Sequence, residues 1–229
     1  MKKLIFPLAS LFVLSMTSCA SKWSEQQKAS IRSIGAGDVN IRSNAFHKPD
    51  HSKSPNATSS VTTATGGGLI PALLGSLIDA GVTSAQNSAF KSQYGDVIPK
   101  LTDLSKSAPT SELRSALNAT IKKDAFLGKR YSTSPSTKVD AYITSYGLVR
   151  GSKSKDKYKT LAYAITADLK IVSSEGKDLI NLPFVTGVSK LEQTPRSISS
   201  TSLAQFKQEA AMDLAKKLQV QIDAKLGRE

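Results

Sequence analysis

The carboxyl-terminal half of the chain alternates between apolar and polar residues with the period of two that is typical of β-strands. Apolar residues stand at every second position in residues 139–143 and again in residues 161–171, and residues 179–188 form a third apolar run. Short links join the three runs, which predicts an antiparallel meander. Pro183 lies inside the third run and predicts that this strand is at a sheet edge or carries a bulge.

Two other segments repeat apolar residues at the spacing of a helix. The first segment precedes Gly128, which we expect to end it, and we expect Thr110 or Ser111 to cap its start. The second segment ends the chain, and its apolar row is Phe206, Ala210, Leu214, Leu218, Ile222 and Leu226. We expect this amphipathic helix to begin at a capping box led by Ser202 and to stop at Gly227.

The amino-terminal part of the chain has a less regular pattern. Residues 30–43 suggest one or two short strands that are broken at Gly35–Gly37. Residues 47–66 are rich in Ser, Thr, Asn, Pro and Gly, a composition typical of a flexible loop. Together with the meander, these elements predict a single α+β domain over residues 30–229, in which the sheet packs against helices that include the C-terminal one.

A stripe of small side chains lies between residues 68 and 88. Gly68, Ala72, Ser76, Ala80 and Ser84 recur at every fourth position. The apolar stretch Leu69–Val82 within it is too short to span a membrane as a helix. A stripe of small residues lets another backbone approach closely, as in pairs of membrane helices. It resembles the glycine-zipper-like segments of some envelope proteins, which implies self-association or membrane contact. The alternative is a helix that packs tightly against its own sheet.

Residues 1–18 have the three parts of a secretory signal. Lys2 and Lys3 form a positive start, an apolar stretch of about 11 residues follows, and a small polar segment ends it. The apolar stretch is shorter than the roughly 20 residues that span a bilayer. The signal ends in Met16-Thr17-Ser18-Cys19, which resembles the lipobox of bacterial lipoproteins.

This resemblance implies a diacylglyceryl thioether on Cys19, cleavage before it, and acylation of the new amino terminus, for instance by palmitate. Ala20 in place of an Asp implies sorting to the outer membrane, facing the periplasm. Residues 19–29 would then form the lipidated cysteine and a tether, with Trp23 either at the membrane interface or at the start of the fold. The alternative is that Cys19 is an ordinary residue near a conventional cleavage site.

The charge of the chain is strongly basic. It has 31 Lys and Arg against 18 Asp and Glu, a net charge of +13, and loss of Lys2 and Lys3 with the signal lowers this by two to +11. Such a charge favours anionic neighbours such as phosphorylated lipid or anionic glycan, or it simply keeps the domain soluble. We expect no nucleic-acid partner, because the aromatic residues are few and are not interleaved with the basic clusters.

The densest basic run lies in the link between the first and second strands of the meander. Its cations are Arg150, Lys153, Lys155, Lys157 and Lys159, and Asp156 is the acid among them. Lysines at the tip of a hairpin attract phosphates or anionic glycan, so this link is our candidate contact for an anion or a partner. The alternative is a solvated loop whose charges discourage edge-to-edge pairing of strands.

The sequence contains no motif that names a reaction. The histidines are His47 and His51, and Pro49 between them favours a loop over a metal-binding helix. No Gly-x-Ser-x-Gly nucleophile motif and no phosphate-binding loop occurs. Asp140 and Asp168 stand at polar positions of the strands, where we expect them to face solvent. We therefore predict no catalytic residue, no metal site and no cofactor.

These observations predict a non-enzymatic, lipid-anchored envelope protein that presents a basic domain to the periplasm. Its partner is expected to be another envelope protein or an anionic envelope component, in an accessory or assembly role. The mature chain also resembles a loose group of bacterial envelope lipoproteins with a glycine-zipper-like segment, which brings no known activity. Two alternatives remain: a structural lipoprotein that oligomerises or contacts the membrane through residues 68–88, and an unassigned hydrolase.

Overall fold

The computed structural model describes residues 22–50, 88–154 and 159–228. We label four of its helices α1 (Glu25–Ser30), α2 (Ile98–Ser105), α3 (Thr110–Lys123) and α4 (Ser200–Leu226). Its strands are β1 (Ile34–Ile41), β2 (Phe46–Asp50), β3 (Thr137–Arg150), β4 (Leu161–Val172) and β5 (Asp178–Val188). Residues 88–94 are also helical, and short 3₁₀ turns occupy Gly128–Arg130 and Pro195–Ser197.

The five strands form one mixed sheet in the order β1-β3-β4-β5. β3, β4 and β5 are consecutive antiparallel neighbours, so the predicted meander and the α+β class are confirmed. β1 and β2 both run parallel to β3 and lie end to end along it, β1 opposite residues 137–143 and β2 opposite residues 146–149. The sequence pattern did not reveal this parallel edge, because parallel pairing needs a long crossover and leaves no local turn signal.

One face of the sheet packs against α3 and α4. The residues of β4 that face the helices are Leu161, Tyr163, Ile165, Ala167, Leu169 and Ile171, and each is fully buried. The facing row of α4 is Phe206, Ala210, Leu214, Leu218 and Ile222, and each of these is fully buried as well. The two periodicities in the sequence therefore mark the two sides of a single interface, whose apolar burial stabilises the fold by about 25 cal/mol for each Å² removed from water.

Helix α4 packs tightly against the sheet at Gly187 of β5. A Cβ atom at this position would overlap the carbonyl oxygen of Ala210 and would lie 2.6 Å from the Cβ of Leu214. Only a residue without a side chain lets the helix backbone approach the strand this closely.

The bulge in β5 follows Pro183, as its place in the sequence predicts. β5 is an edge strand, and its register with β4 shifts between Leu182 and Val185. Phe184 adopts a left-handed backbone conformation with φ of 53°. The carboxylate of Asp168 accepts a hydrogen bond of 2.8 Å from the backbone N–H of Phe184, so a polar side chain of β4 holds the bulge in place.

The start of α4 lies slightly earlier than the sequence indicates. Ser199 is the N-cap, its hydroxyl accepts from the N–H of Ser202 at 3.2 Å, and the Ser202 hydroxyl accepts from the N–H of Ser199 at 2.9 Å. Ser202 is thus the third helical residue of the capping box and not its first. Gly227 ends the helix in the left-handed conformation, with φ of 73°, as predicted.

Helix α3 differs from the sequence-based prediction at both ends. It begins directly after Pro109 without a side-chain cap, so neither Thr110 nor Ser111 serves as the predicted cap. It ends at Lys123, and Gly128 instead opens a short 3₁₀ turn.

Trp23, the second residue that the structure describes, is packed into the fold. Its ring is 3% exposed, its indole N–H donates to the carbonyl of Leu179 at 3.3 Å, and its backbone N–H donates to the carbonyl of Lys225 at 2.8 Å. Because its side chain is buried and bonded, Trp23 belongs to the fold, which is the second of the two roles predicted for it. The part of the predicted tether after residue 22 is accordingly folded, and residues 25–30 form α1.

Two further segments differ from expectation or lie outside the described residues. Of the one or two strands predicted here the structure has one, residues 34–41, and its register shifts between Ala36 and Val39, next to the predicted break. β2 occupies the beginning of the predicted loop 47–66, and the rest of that loop lies outside the described residues. The same holds for Cys19 and for the small-residue positions Gly68, Ala72, Ser76, Ala80 and Ser84.

We predict that Gly187→Ala lowers the free energy of unfolding by about 1–3 kcal/mol, because the added methyl group forces α4 away from the sheet. Urea denaturation of the soluble domain followed by circular dichroism measures this change. Ser174→Ala, in the exposed β4–β5 turn, is the control and should stay within about 0.5 kcal/mol of the parent. Equal stability of Gly187→Ala and the parent would contradict the close contact.

Candidate functional site

The seam between α3 and α4 opens to solvent in two adjoining pockets of about 690 and 470 Å³ that share Met212. We call this surface the helical groove. α3 and the residues after it line one wall with Ser111, Glu112, Ser115, Ala116, Ala119, Thr120, Lys123, Asp124 and Ala125. The other wall consists of Ala204, Gln208, Glu209, Met212, Asp213, Lys216 and Gln219, with Lys190 and Arg228 at the edge.

Small side chains create the helical groove. Ala116 and Ala119 of α3 and Ala204 of α4 line the same pocket, where their short side chains leave space between the two helices. Met212 is 50% exposed, and its unbranched side chain adapts to differently shaped partners. An apolar floor with a polar rim is the kind of surface that accepts the apolar face of a helix or an extended segment.

A buried carboxylate fixes one end of the groove. Asp124, whose side chain is inaccessible to solvent, accepts hydrogen bonds from the backbone N–H groups of Phe126 at 2.8 Å and Leu127 at 2.7 Å. It also accepts from Gln219 at 2.9 Å and from the guanidinium of Arg228 at 2.6 Å. These contacts join the end of α3 to the last turns of α4 and so set the separation of the two helices.

The same contacts control the ionisation of Asp124. Burial alone raises the pKa of a carboxyl group, but the hydrogen bonds from Arg228, Leu127, Gln219 and Phe126 outweigh it, so the pKa of Asp124 lies below its ordinary value of 3.8. Asp124 is therefore a carboxylate at neutral pH.

Two carboxylates of α4 hold the chain that follows β5. Glu209 accepts from the backbone N–H groups of Lys190 at 2.9 Å and Leu191 at 2.8 Å. Asp213 accepts from the N–H of Val188 at 3.1 Å and pairs with Lys217 at 3.2 Å. Both side chains of the groove wall therefore serve to attach this loop to the helix.

The basic link between β3 and β4 is organised by Glu192. Its carboxylate accepts from the backbone N–H groups of Ser152 at 2.7 Å and Lys153 at 2.9 Å, and from the hydroxyl of Thr160 at 2.9 Å. Burial raises the pKa of Glu192. The three hydrogen bonds above, together with one from the Ser152 hydroxyl, outweigh this effect, so the pKa lies below its usual value. The role of Glu192 was not visible in the sequence, because it lies about 40 residues from the link.

The structure describes three of the five predicted cations of this link, and their surroundings differ. Lys153 is exposed and Arg150 is half-buried at the end of β3. Lys159 is only 6% exposed, so it does not present its charge as an open hairpin tip would. Lys155 and Lys157 lie outside the described residues.

A second polar cluster is enclosed between α4 and the sheet. The ammonium of Lys207 donates to the carbonyl of Ser107 at 2.8 Å and to its hydroxyl at 2.5 Å, and it lies 5.9 Å from the centre of the Tyr163 ring. Burial lowers the pKa of Lys207, opposed by the charge of Glu112, and burial raises the pKa of Tyr163. Lys207 is 5% exposed and Tyr163 is fully buried, so a dissolved substrate does not reach this pair.

The remaining candidates for chemistry are used structurally or lie outside the described residues. His47 lies in β2 with its Nδ1 3.4 Å from the carbonyl of Lys48, whereas His51 is not described. Asp140 accepts from the N–H of Asp38 beside the irregular part of β1, just as Asp168 holds the bulge of β5. Within the described ranges no group of three or more His, Cys, Asp and Glu side chains is arranged to hold a metal ion.

The comparisons with known proteins show only distant similarity. No family model and no curated protein matches the chain. A crystal structure described as a minor lipoprotein from Acinetobacter baumannii is similar over 52% of this chain and 87% of its own, at 16% identity and a TM-score of 0.37. A similarity this low defines neither the fold nor the function of this chain. Among the described residues no helix has the length and apolar character needed to cross a membrane.

We predict that Asp124→Asn lowers the free energy of unfolding at neutral pH by about 2–3 kcal/mol, since Arg228 loses its buried partner. Because folding lowers the pKa of Asp124, the carboxylate stabilises the fold above its unfolded pKa, and this contribution is lost as the pH falls from about 5 through the folded pKa. The difference between parent and variant should therefore shrink in acid. Urea denaturation across this pH range measures it.

Asp103→Asn, which alters an exposed carboxylate on α2, is the matched control for this series. It should leave the pH dependence of stability close to that of the parent. A constant difference between the parent and Asp124→Asn at every pH would contradict the assigned role of the ionised carboxylate.

Proposed function

We propose that this protein is a non-enzymatic lipoprotein of the bacterial envelope, anchored through lipid on Cys19 and facing the periplasm from the outer membrane. Its domain binds another envelope protein, which places an apolar segment in the helical groove. The observation that carries the proposal is the groove itself, with its alanine-lined floor, exposed Met212 and charged rim. The lipobox-like Met16-Thr17-Ser18-Cys19 supports the anchor.

The rim of the helical groove carries charges of both signs. Its cations are Lys123, Lys190, Lys216 and Arg228, and its carboxylates are Glu112, Asp124, Glu209 and Asp213. The two sets balance in number, because a carboxylate keeps its negative charge when it accepts a hydrogen bond from a backbone N–H. An apolar partner segment flanked by residues of both signs complements this surface.

We predict that Cys19→Ser moves the protein from the membrane fraction to the soluble fraction, because acyl chains supply the anchoring energy at about 0.8 kcal/mol for each buried methylene. Fractionation of cells shows whether the protein is in the membrane or the soluble fraction. Mass spectrometry of the purified chain shows which residue carries the lipid and what the mass of that lipid is. Ser21→Ala is the control and should stay in the membrane. Retention in the membrane of a Cys19→Ser chain that carries no lipid and has lost residues 1–18 would contradict the proposed anchor.

We predict that a photo-reactive amino acid at Ala119 or Met212 cross-links to one partner protein in intact cells. Ala204→Arg, which fills the groove with a long charged side chain, should reduce that cross-link strongly. Val220 is 57% exposed on the same helix but does not line the groove, so the photo-reactive residue at Val220 is the matched control. Equal cross-linking from Val220, or an unchanged product in Ala204→Arg, would contradict the groove as the binding site.

A further inference from the structure

The distance between the proposed lipid and the folded domain is short. Three residues, Ala20, Ser21 and Lys22, separate Cys19 from Trp23. Trp23 is fixed to the fold through its backbone and its indole ring. Even a fully extended chain spans only about 14 Å between Cys19 and Trp23. A lipidated Cys19 therefore holds the Trp23 region within a few water layers of the bilayer surface.

The elements around Trp23 belong to one end of the sheet, which we call the anchor end. Leu179, which accepts from the indole, lies at the start of β5, and Lys225, which accepts from the backbone, lies in the last turn of α4. The β4–β5 turn, residues 173–177, is part of the same end, because β4 finishes where β5 starts. α1 directly follows Trp23.

The opposite end of the sheet carries the basic link. Arg150 pairs with Leu161 there, and Leu161 also pairs with Gln193, shortly before the start of α4. The lengths of β4 and α4 give the separation of the two ends. β4 has 12 residues and extends about 40 Å, and α4 has 27 residues and extends about 40 Å as well.

The anchor end also has a charge that suits an anionic bilayer surface. Residues 22–33, 173–178 and 223–228 together contain six basic and four acidic side chains. Several of them pair with each other, as in Lys28–Glu25 and Lys177–Glu175 at 2.8 and 2.9 Å. The small excess of positive charge attracts anionic headgroups, although these residues do not form a strongly basic patch.

We infer that the anchor end is a docking surface for the lipid bilayer and that the domain stands upright on it. In this orientation β4 and α4 run away from the membrane and hold the basic link about 40 Å from it. Lys153 and Glu192 are then out of reach of the phosphates of the anchoring membrane. The inference rests on the proposed lipid anchor.

Site-directed labelling of the full-length lipidated protein tests this orientation. A lipidated Cys19 has no free thiol, so a single introduced cysteine takes the fluorophore. The three exposed positions are Ser174 in the β4–β5 turn, Met212 midway along α4, and Thr201 at its far start. The labelled proteins are inserted into vesicles of phosphatidylethanolamine and phosphatidylglycerol that contain a nitroxide headgroup lipid, which quenches only at short range.

We expect several-fold stronger quenching at Ser174→Cys than at Thr201→Cys, with Met212→Cys close to Thr201→Cys. A flexible Gly/Ser insertion between Ser21 and Lys22 should abolish this difference, because the longer tether releases the domain from the surface. Equal quenching at all three positions in a chain whose lipid is verified by mass spectrometry would overturn the orientation alone. A chain without lipid on Cys19 would overturn the proposed anchor and the orientation with it.

Discussion

The close contact between α4 and the helix-facing side of the sheet is the constraint on which the other features depend. α4 crosses β5 where Gly187 has no side chain, and its buried row of Phe206, Ala210 and Leu214 rests on β4 and β5. α3 packs beside α4 on the same face of the sheet, over β1. The seam of that pair is the helical groove. A larger residue at Gly187 would therefore change the position of one groove wall as well as the stability of the core.

Polar side chains hold the remaining parts in place around this contact. Asp124 joins the ends of α3 and α4, Glu209 and Asp213 attach the loop after β5, and Glu192 orders the β3–β4 link. Each of these carboxylates accepts hydrogen bonds from backbone N–H groups that lie at or beyond the end of a helix or strand. Buried or half-buried carboxylates in such positions contribute order at segment ends, where apolar packing alone does not specify a geometry.

The sequence predicted the elements whose signal is local and missed those that depend on distant residues. The period of two in β4, the four-residue repeat of α4 and the bulge at Pro183 each follow from neighbouring positions, and the structure contains all three. The parallel pairing of β1 with β3 joins residues about 100 positions apart and has no local pattern. The helical groove was missed for the same reason, because its walls come from α3 and α4 and no single segment shows that small side chains face each other.

The direction of α4 relates the proposed anchor to the helical groove, because the helix that forms one groove wall ends at the anchor end. This helix ends beside Trp23, at the anchor end, so an upright domain places α4 and its groove nearly parallel to the membrane normal. The groove then begins near the bilayer at Asp124 and Arg228 and continues away from it past Met212 towards Ala204. A partner segment that fills it must extend from the membrane surface into the periplasm. A segment of a membrane-embedded protein that emerges beside the lipid anchor has this geometry, whereas a segment that lies flat on the bilayer does not.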